Sequence, residues 1–95
     1  MPAVLEITLV IPEENRSAAV GVYTNLRQRF LDEASGAQSK QLLVRKEDVQ
    51  VLHGFDSAEN AQAYLESALF TQDVVGELGP LLDADPVVSI YNVVG

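Results

Sequence analysis

The sequence predicts an α+β fold, and three observations lead to it. Apolar residues alternate at period two in the first and last segments of the chain. They recur every three or four residues in two segments between these ends, and two short β-like runs lie back to back in the middle. The resulting order, β-α-β-β-α-β, is the ferredoxin-like pattern, and we expect a four-stranded antiparallel sheet with the helices on one face. We expect residues 1–95 to form one domain.

The first strand is predicted over residues 4–11, "VLEITLVI". One side of this strand is wholly apolar, whereas the other side mixes valines with Glu6 and Thr8. Such a pattern is typical of a strand with both faces at least partly covered. Pro12 ends the strand, because it has no N–H to donate to a continuing ladder.

The first helix is predicted from Asn15, a candidate N-cap, to about Ser35, where Gly36 supplies a left-handed stop. Its apolar positions recur at helical spacing: Ala19, Val22, Tyr23, Leu26 and Phe30. Two β-like runs follow at 40–45 and 48–55, and because two residues separate them they predict a hairpin.

The second helical region is predicted in two pieces, 56–70 and 71–82, so that the second helix is broken in two. Asp56 or Ser57 can cap its first turn. Its first apolar stripe contains Ala58, Ala61, Leu65, Ala68 and Leu69. A closing strand at 86–94 completes the order.

Composition and charge exclude several classes of function. A net charge of −8 and a pI near 4.3 argue against partners that are nucleic acids or anionic membranes. The chain contains no cysteine, which rules out disulfides, thiolate catalysis and Cys-ligated metals. With one histidine, no metal site is predicted, and no cofactor is expected. The opening residues lack the pattern of a signal peptide, so a cytoplasmic protein is expected.

The sheet face that the helices leave bare is predicted to be apolar. Depending on strand register, it carries Val4 and Val10 with several of Leu43, Leu52, Val88, Ile90 and Val94. Such a face predicts a homodimer joined through the sheets, which closes a dimeric α/β barrel. Glu6 would then lie near the interface and need a partner such as Lys40 or Arg45.

Several features of the second half stand together. The strand ends in Phe55-Asp56, a helix begins with "SAENA" at 57–61 and continues through 67–70, and "LGPLL" precedes a final strand containing Ile90-Tyr91. With these features the chain resembles the dimeric α/β-barrel superfamily, in particular its antibiotic-biosynthesis-monooxygenase-like branch. The resemblance spans nearly the whole chain. It implies either a cofactor-independent monooxygenase acting on an aromatic or quinone-like substrate, or a non-catalytic ligand-binding or stress-related protein.

The chain also departs from the pattern of that branch. Enzymatic members often place a tryptophan near the pocket, and this chain has none. Many relatives carry a histidine in the second helix where this chain has Tyr64. Haem-degrading members use an Asn, a Trp and a His around the porphyrin. Since the Trp is missing and His53 is on a strand, the resemblance does not extend to haem chemistry.

His53 is the candidate catalytic residue. It shares a strand face with Val49, Val51 and Phe55, in the stretch "VLHGFDS". One hypothesis makes it a packed, hydrogen-bonded side chain, as histidines on apolar faces usually are. The other makes it a general base for a phenolic or enolic substrate, because the pKa of an unperturbed imidazole lies near neutrality. Parity on the strand predicts that it points toward the helices.

The candidate pocket lining is mostly aromatic. An apolar pocket for a small aromatic ligand would be walled by Tyr23, Tyr64, Phe70 and Tyr91, with a tyrosine hydroxyl as the polar group. Asn92 is added because an amide in the middle of a strand is unfavoured and could polarise a carbonyl. Each of these residues also has a structural explanation in the core or at the sheet edge.

Overall fold

A computed structural model describes residues 1–94 and contains a four-stranded antiparallel sheet. Its strands are β1 (Ala3–Leu9), β2 (Ala37–Val44), β3 (Val49–Phe55) and β4 (Val87–Asn92). They lie side by side in the order β2-β3-β1-β4, with every neighbouring pair antiparallel. This arrangement confirms the predicted ferredoxin-like fold.

The helices follow the predicted order, with a finer division of the second region. They are α1 (Arg16–Glu33), α2 (Ala58–Leu65), a π-helical segment (Leu69–Val74) and the single turn α3 (Val75–Leu78). Short 3-10 turns precede α1 and follow α3, at Glu13–Asn15 and Gly79–Leu81. Within residues 1–94, no helix combines the length and apolar character that a membrane crossing requires.

The core lies between the sheet and the helices. Along β1 and β3 burial alternates with period two, as the apolar pattern of the first strand predicts. The buried side of the sheet packs on α1 and α2 through residues that include Leu5, Ile7, Phe30, Phe55 and Ala61. We call this side the inner face and the opposite side the outer face.

Two turn residues connect α1 and α2 to the sheet. Gly36 has a φ of +76°, the left-handed conformation predicted for the stop after α1, and its carbonyl accepts a hydrogen bond from the N–H of Asp56 at 2.9 Å. Ser57 caps α2, since its hydroxyl accepts the N–H of Asn60 at 3.1 Å. Asn15 occupies the N-cap position of α1, as predicted, but its side chain makes no capping hydrogen bond; its amide donates instead to the carbonyl of Leu81 at 3.2 Å.

The register of the sheet decides what the outer face carries. Leu52 lies opposite Glu6, and Tyr91 opposite Val4, so these residues share the outer face. Val88 and Ile90 pair with Ile7 and Leu5 and therefore lie on the inner face, contrary to one of the registers considered from the sequence. The outer face nevertheless exposes apolar side chains, among them Leu43, Val87 and Tyr91.

Lys40 cannot serve as the partner suggested for Glu6. Its cross-strand neighbour is His53, which lies on the inner face, and Lys40 itself is buried there. The guanidinium of Arg45 pairs with the carboxylate of Asp48, with Nε 2.6 Å from Oδ1. Neither cation therefore reaches Glu6 within one chain.

Candidate functional site

The candidate site is a cavity of about 400 Å³ between α1, the inner face of the sheet and the segment 70–86. Its wall is mostly apolar and includes Ile7, Leu9, Val22, Leu42, Val51 and Phe70. Asp83 and Asp85 also line the cavity, and because both residues are exposed we infer that its mouth lies beside them. A cavity of this size and lining is typical of sites that bind small organic molecules.

Lys40 is the cationic group in this wall. It is 5% exposed, and its Nζ lies 5.1 Å from the ring centroid of Phe30 and 5.8 Å from that of Tyr23. Among residues 1–94, no carboxylate forms an ion pair with it. Burial, with a smaller effect of the nearby Arg27 guanidinium, lowers the pKa of Lys40 to about 8. The two rings stabilise the ammonium in part, because their faces attract cations.

The backbone of Lys40 is held in place from α1. Its carbonyl accepts the hydroxyl of Tyr23 at 2.8 Å and the Nε–H of Arg27 at 3.3 Å. These bonds join the edge strand β2 to the helix that forms one side of the cavity. Sequence analysis did not select Lys40 as a site residue.

His53 lies beside Lys40 in the same wall and is 2% exposed. Its Nδ1 is 3.1 Å from the carbonyl oxygen of Leu5, and because a carbonyl can only accept, we assign the ring proton to Nδ1. Burial lowers the pKa of His53 to about 3, and the charge of Lys40 contributes to the same shift. The imidazole is therefore neutral at physiological pH and a weak base.

The ring of His53 also belongs to an aromatic cluster under the helices. Its centroid is 5.2 Å from that of Phe30 and 5.5 Å from that of Tyr64. The burial, the hydrogen bond and the ring contacts are those of a packed histidine, while the position of the ring at the cavity wall leaves it within reach of a bound molecule.

Of the other residues that the sequence predicts for the pocket, two line the cavity and three do not. Tyr23 and Phe70 line the cavity. Tyr64 is buried in the core beside Phe70, with ring centroids 5.3 Å apart, and does not belong to the cavity wall. Its hydroxyl has no hydrogen-bond partner among the described residues, and burial raises its pKa.

Tyr91 and Asn92 lie away from the cavity. Tyr91 is opposite Val4 on the outer face and is 56% exposed. Asn92 pairs with Ala3 at the end of the sheet, where it is exposed. Neither residue lines the cavity, because the register of the edge strand β4 turns Tyr91 outward and places Asn92 at the exposed end of the strand.

The arrangement combines an apolar enclosure with one buried ammonium and one neutral imidazole. An apolar enclosure favours a flat hydrocarbon ring system, and the two polar groups can orient an oxygen substituent on that ring. Within residues 1–94, no three His, Cys, Asp or Glu side chains come together in the way that metal ligands do.

Similarity to known proteins is detected at the level of structure. No protein-family model and no curated protein matches the sequence. Two similar structures are named "putative antibiotic biosynthesis monooxygenase". The one from Bordetella bronchiseptica has a TM-score of 0.85 at 16% identity, covering 99% of this chain and 99% of that one. The one from Caulobacter crescentus has a TM-score of 0.84 at 18% identity, covering 99% and 91%.

A third similar structure is a conserved protein from Methanosarcina mazei, with a TM-score of 0.81 at 14% identity, covering 96% of this chain and 91% of that one. At these identities the likeness shows the fold. The chain therefore has the fold of the antibiotic-biosynthesis-monooxygenase-like domain, as the sequence resemblance implies.

Proposed function

We propose that residues 1–95 form a single domain that binds a small aromatic or quinone-like molecule in the cavity between α1 and the sheet. The observation that carries this proposal is the 400 Å³ apolar cavity with Lys40 and His53 in its wall. Its volume suits a ligand of two or three fused rings, and its apolar lining contributes to affinity roughly in proportion to the area that the ligand buries. We propose that the domain acts in the cytoplasm, as the sequence predicts.

A bicyclic neutral probe, 2-methoxynaphthalene, tests the binding site by calorimetric titration. Val22 lines the cavity from α1, so Val22→Trp should fill it and abolish binding of the probe. Val20 lies on the same helix, is 44% exposed and is not part of the wall, so Val20→Trp is the matched control and should bind as the wild type does. Equal binding by both variants would place the ligand elsewhere and defeat the proposal.

A second candidate function is cofactor-independent monooxygenation, favoured by the names of the structural neighbours. The fitting reaction converts a ring CH₂ that is activated by a carbonyl of the same ring into C=O. One atom of O₂ enters the product and the other leaves as water, so the substrate supplies all four electrons. The protein would supply orientation and a dry pocket. The alternative is a ligand-binding protein without turnover.

Oxygen consumption distinguishes these two functions. Anthrone carries the required CH₂ and has three fused rings, and its oxidation product is anthraquinone. A monooxygenase should accelerate O₂ uptake above the rate of anthrone alone, and Val22→Trp should remove the acceleration. Binding of anthrone without any acceleration would assign the protein to the non-catalytic class.

We also propose that two copies of the chain associate through their outer faces. Support comes from the exposed apolar side chains of Leu43, Val87 and Tyr91 on a sheet face that no helix of residues 1–94 covers. Light scattering should report about twice the 10.3 kDa mass of one chain. Leu52→Glu should produce monomers because it places a charge in the centre of that face, and Val20→Glu on α1 should not. A wild-type monomer at micromolar concentration would contradict the dimer.

A further inference from the structure

Lys40 is a buried cation with no anion beside it. Its side chain is buried, with 5% of the residue exposed, and it lines the cavity. No carboxylate of residues 1–94 forms an ion pair with it. Buried charges in proteins are normally paired, because an isolated ion loses its hydration without compensation. The contacts of its ammonium with the rings of Phe30 and Tyr23 replace only part of that hydration.

The charges around Lys40 increase this imbalance. Arg27, which donates to its carbonyl, is a second cation, and the neighbouring His53 is neutral. The acidic residues that line the cavity are Asp83 and Asp85, at its mouth. The part of the wall that contains Lys40 thus carries a positive charge in a chain whose net charge is −8.

We propose that the ligand of this cavity is a planar molecule with one acidic hydroxyl group, and that Lys40 binds it as the phenolate or enolate. This inference rests on the proposed binding function and names the chemical class that the site accepts. The ring system of the ligand occupies the apolar wall, and its oxyanion supplies the negative partner that Lys40 lacks within the chain. On binding, the hydroxyl proton goes to the neutral amine of Lys40, or to solvent when Lys40 is already an ammonium. In both cases the bound pair is an ammonium and an oxyanion.

The acidic mouth favours a hydroxyl over a carboxylate as the anionic group. A carboxylic acid is fully ionised in neutral solution and must approach Asp83 and Asp85 as an anion, against the field of a chain with an excess of negative charge. A phenol or enol with a pKa above neutrality approaches as the uncharged acid. It then ionises beside Lys40, because an opposite charge at a few ångströms favours the charged form.

Three naphthalene probes of nearly equal size test the proposal: 2-naphthol, 2-methoxynaphthalene and 2-naphthoate. The wild type should bind 2-naphthol more tightly than the methyl ether, and this preference should reach about tenfold at about pH 8–9, because ionisation of the bound ligand adds affinity only above the pKa that the ligand has in the complex. At that pH the bound naphthol should show the longer-wavelength absorption of naphtholate, and a pH titration of the complex should place its pKa about 2–3 units below that of free naphthol.

Lys40→Met is the variant that removes the ammonium and keeps an unbranched side chain of comparable length. It should bind the two uncharged probes equally and leave the bound naphthol neutral. It should also fold, since it removes the cost of burying an unpaired charge. Lys46→Met makes the same substitution on the exposed hairpin and should behave as the wild type does.

Three results would overturn the proposal. They are equal wild-type affinity for naphthol and its ether, a neutral bound naphthol, and a preference for naphthol that survives in Lys40→Met. Lys40-dependent binding of naphthoate in preference to naphthol would overturn the assignment of a hydroxyl. Failure of all three probes to bind would reject the binding site itself, whereas binding of the ether alone would leave the proposed function intact and reject this inference.

Discussion

Lys40 and His53 lie directly opposite each other in the β2–β3 pair, and both side chains are buried on the inner face. The positive charge of Lys40 contributes to the low pKa of His53, after the larger effect of burial. Since two cations side by side in an apolar wall repel each other, His53 remains neutral while Lys40 is charged. The cationic role in the cavity therefore belongs to Lys40.

The first prediction concerns the stability cost of Lys40. Because its pKa of about 8 in the folded chain lies below the value of about 10.4 for an unfolded lysine, the unfolded chain binds more protons between these pH values. The cost is full below about pH 8 and disappears as pH rises through this window. Lys40→Met should therefore be more stable than the wild type at pH 7, by about 1–3 kcal/mol.

Urea denaturation at a series of pH values measures this difference. The stability advantage of Lys40→Met should shrink as pH rises from about 8 to about 10. Lys46→Met should show no such trend, because Lys46 is exposed. An advantage that does not change with pH would mean that the pKa of Lys40 is the same in the folded and unfolded chains, so that burial does not destabilise its ammonium.

The second prediction concerns acid sensitivity. The pKa of His53, about 3 in the folded chain, lies below the value of about 6.5 for an unfolded histidine, so the unfolded chain binds more protons in this range. His53 should contribute a loss of stability as pH falls from about 6.5 to about 3. His53→Phe, which keeps a ring in contact with Phe30, should lose less stability in acid than the wild type does.

At neutral pH the same variant should be less stable than the wild type by about 1 kcal/mol, because the carbonyl of Leu5 loses its side-chain donor. The two stability curves should therefore converge on acidification. Parallel curves for the two proteins between pH 7 and pH 4 would show that the pKa of His53 is the same in the folded and unfolded chains, as it is for a solvated imidazole.

The third prediction compares two tyrosines. The hydroxyl of Tyr64 is buried without a partner among the described residues, and Tyr64→Phe should be neutral or stabilise the protein by about 1 kcal/mol or more. The hydroxyl of Tyr23 donates to the carbonyl of Lys40 at 2.8 Å, so Tyr23→Phe should cost about 0.5–1.5 kcal/mol. Thermal unfolding of both variants measures the difference, and a destabilised Tyr64→Phe would reveal a partner such as a buried water.

The fourth prediction compares two glycines. Gly36 has a positive φ, and a Cβ there would collide with the carboxylate of Asp56 and lie 2.5 Å from the amide nitrogen of Asn60. Gly36→Ala should therefore destabilise the protein by about 1–3 kcal/mol. Gly21 lies within α1 with no atom near its missing Cβ, so Gly21→Ala should stabilise by about 0.5–1 kcal/mol. Similar changes in stability for both variants would mean that the positive φ of Gly36 does not require glycine.

The sequence by itself determined the order of the elements and the inward side of two strands. In β1 and β3 one set of alternating residues is wholly apolar or nearly so, and the other carries Glu6, Thr8 or Gln50. A strand with such unequal sides has one stable orientation under the helices, because burying the polar side would cost the hydration of those groups. The same parity predicts the inward direction of His53, which is buried on the inner face opposite Leu5.

In the two edge strands, β2 and β4, the local sequence pattern does not decide which side faces the helices. In β2, Lys40, Leu42 and Val44 alternate with Gln41 and Leu43, so each side mixes polar and apolar residues. In β4, Tyr91 is on one side and Ile90 on the other, and both sides are again mixed. When the sides are this similar, orientation is set by pairing with the neighbouring strand, including the irregularity between Ala37 and Ser39 in β2.

The content of the site depended on those two strands. Pairing turned Lys40 into the cavity, although lysine is among the residues least often buried, and it turned Tyr91 away. Tyr64 is in the core because its ring packs against Phe55 and against Phe30, which lies far from it in sequence. The fold could thus be predicted from local periodicity, whereas the charged group of the site was decided by the tertiary structure, because strand register is a property of two segments together.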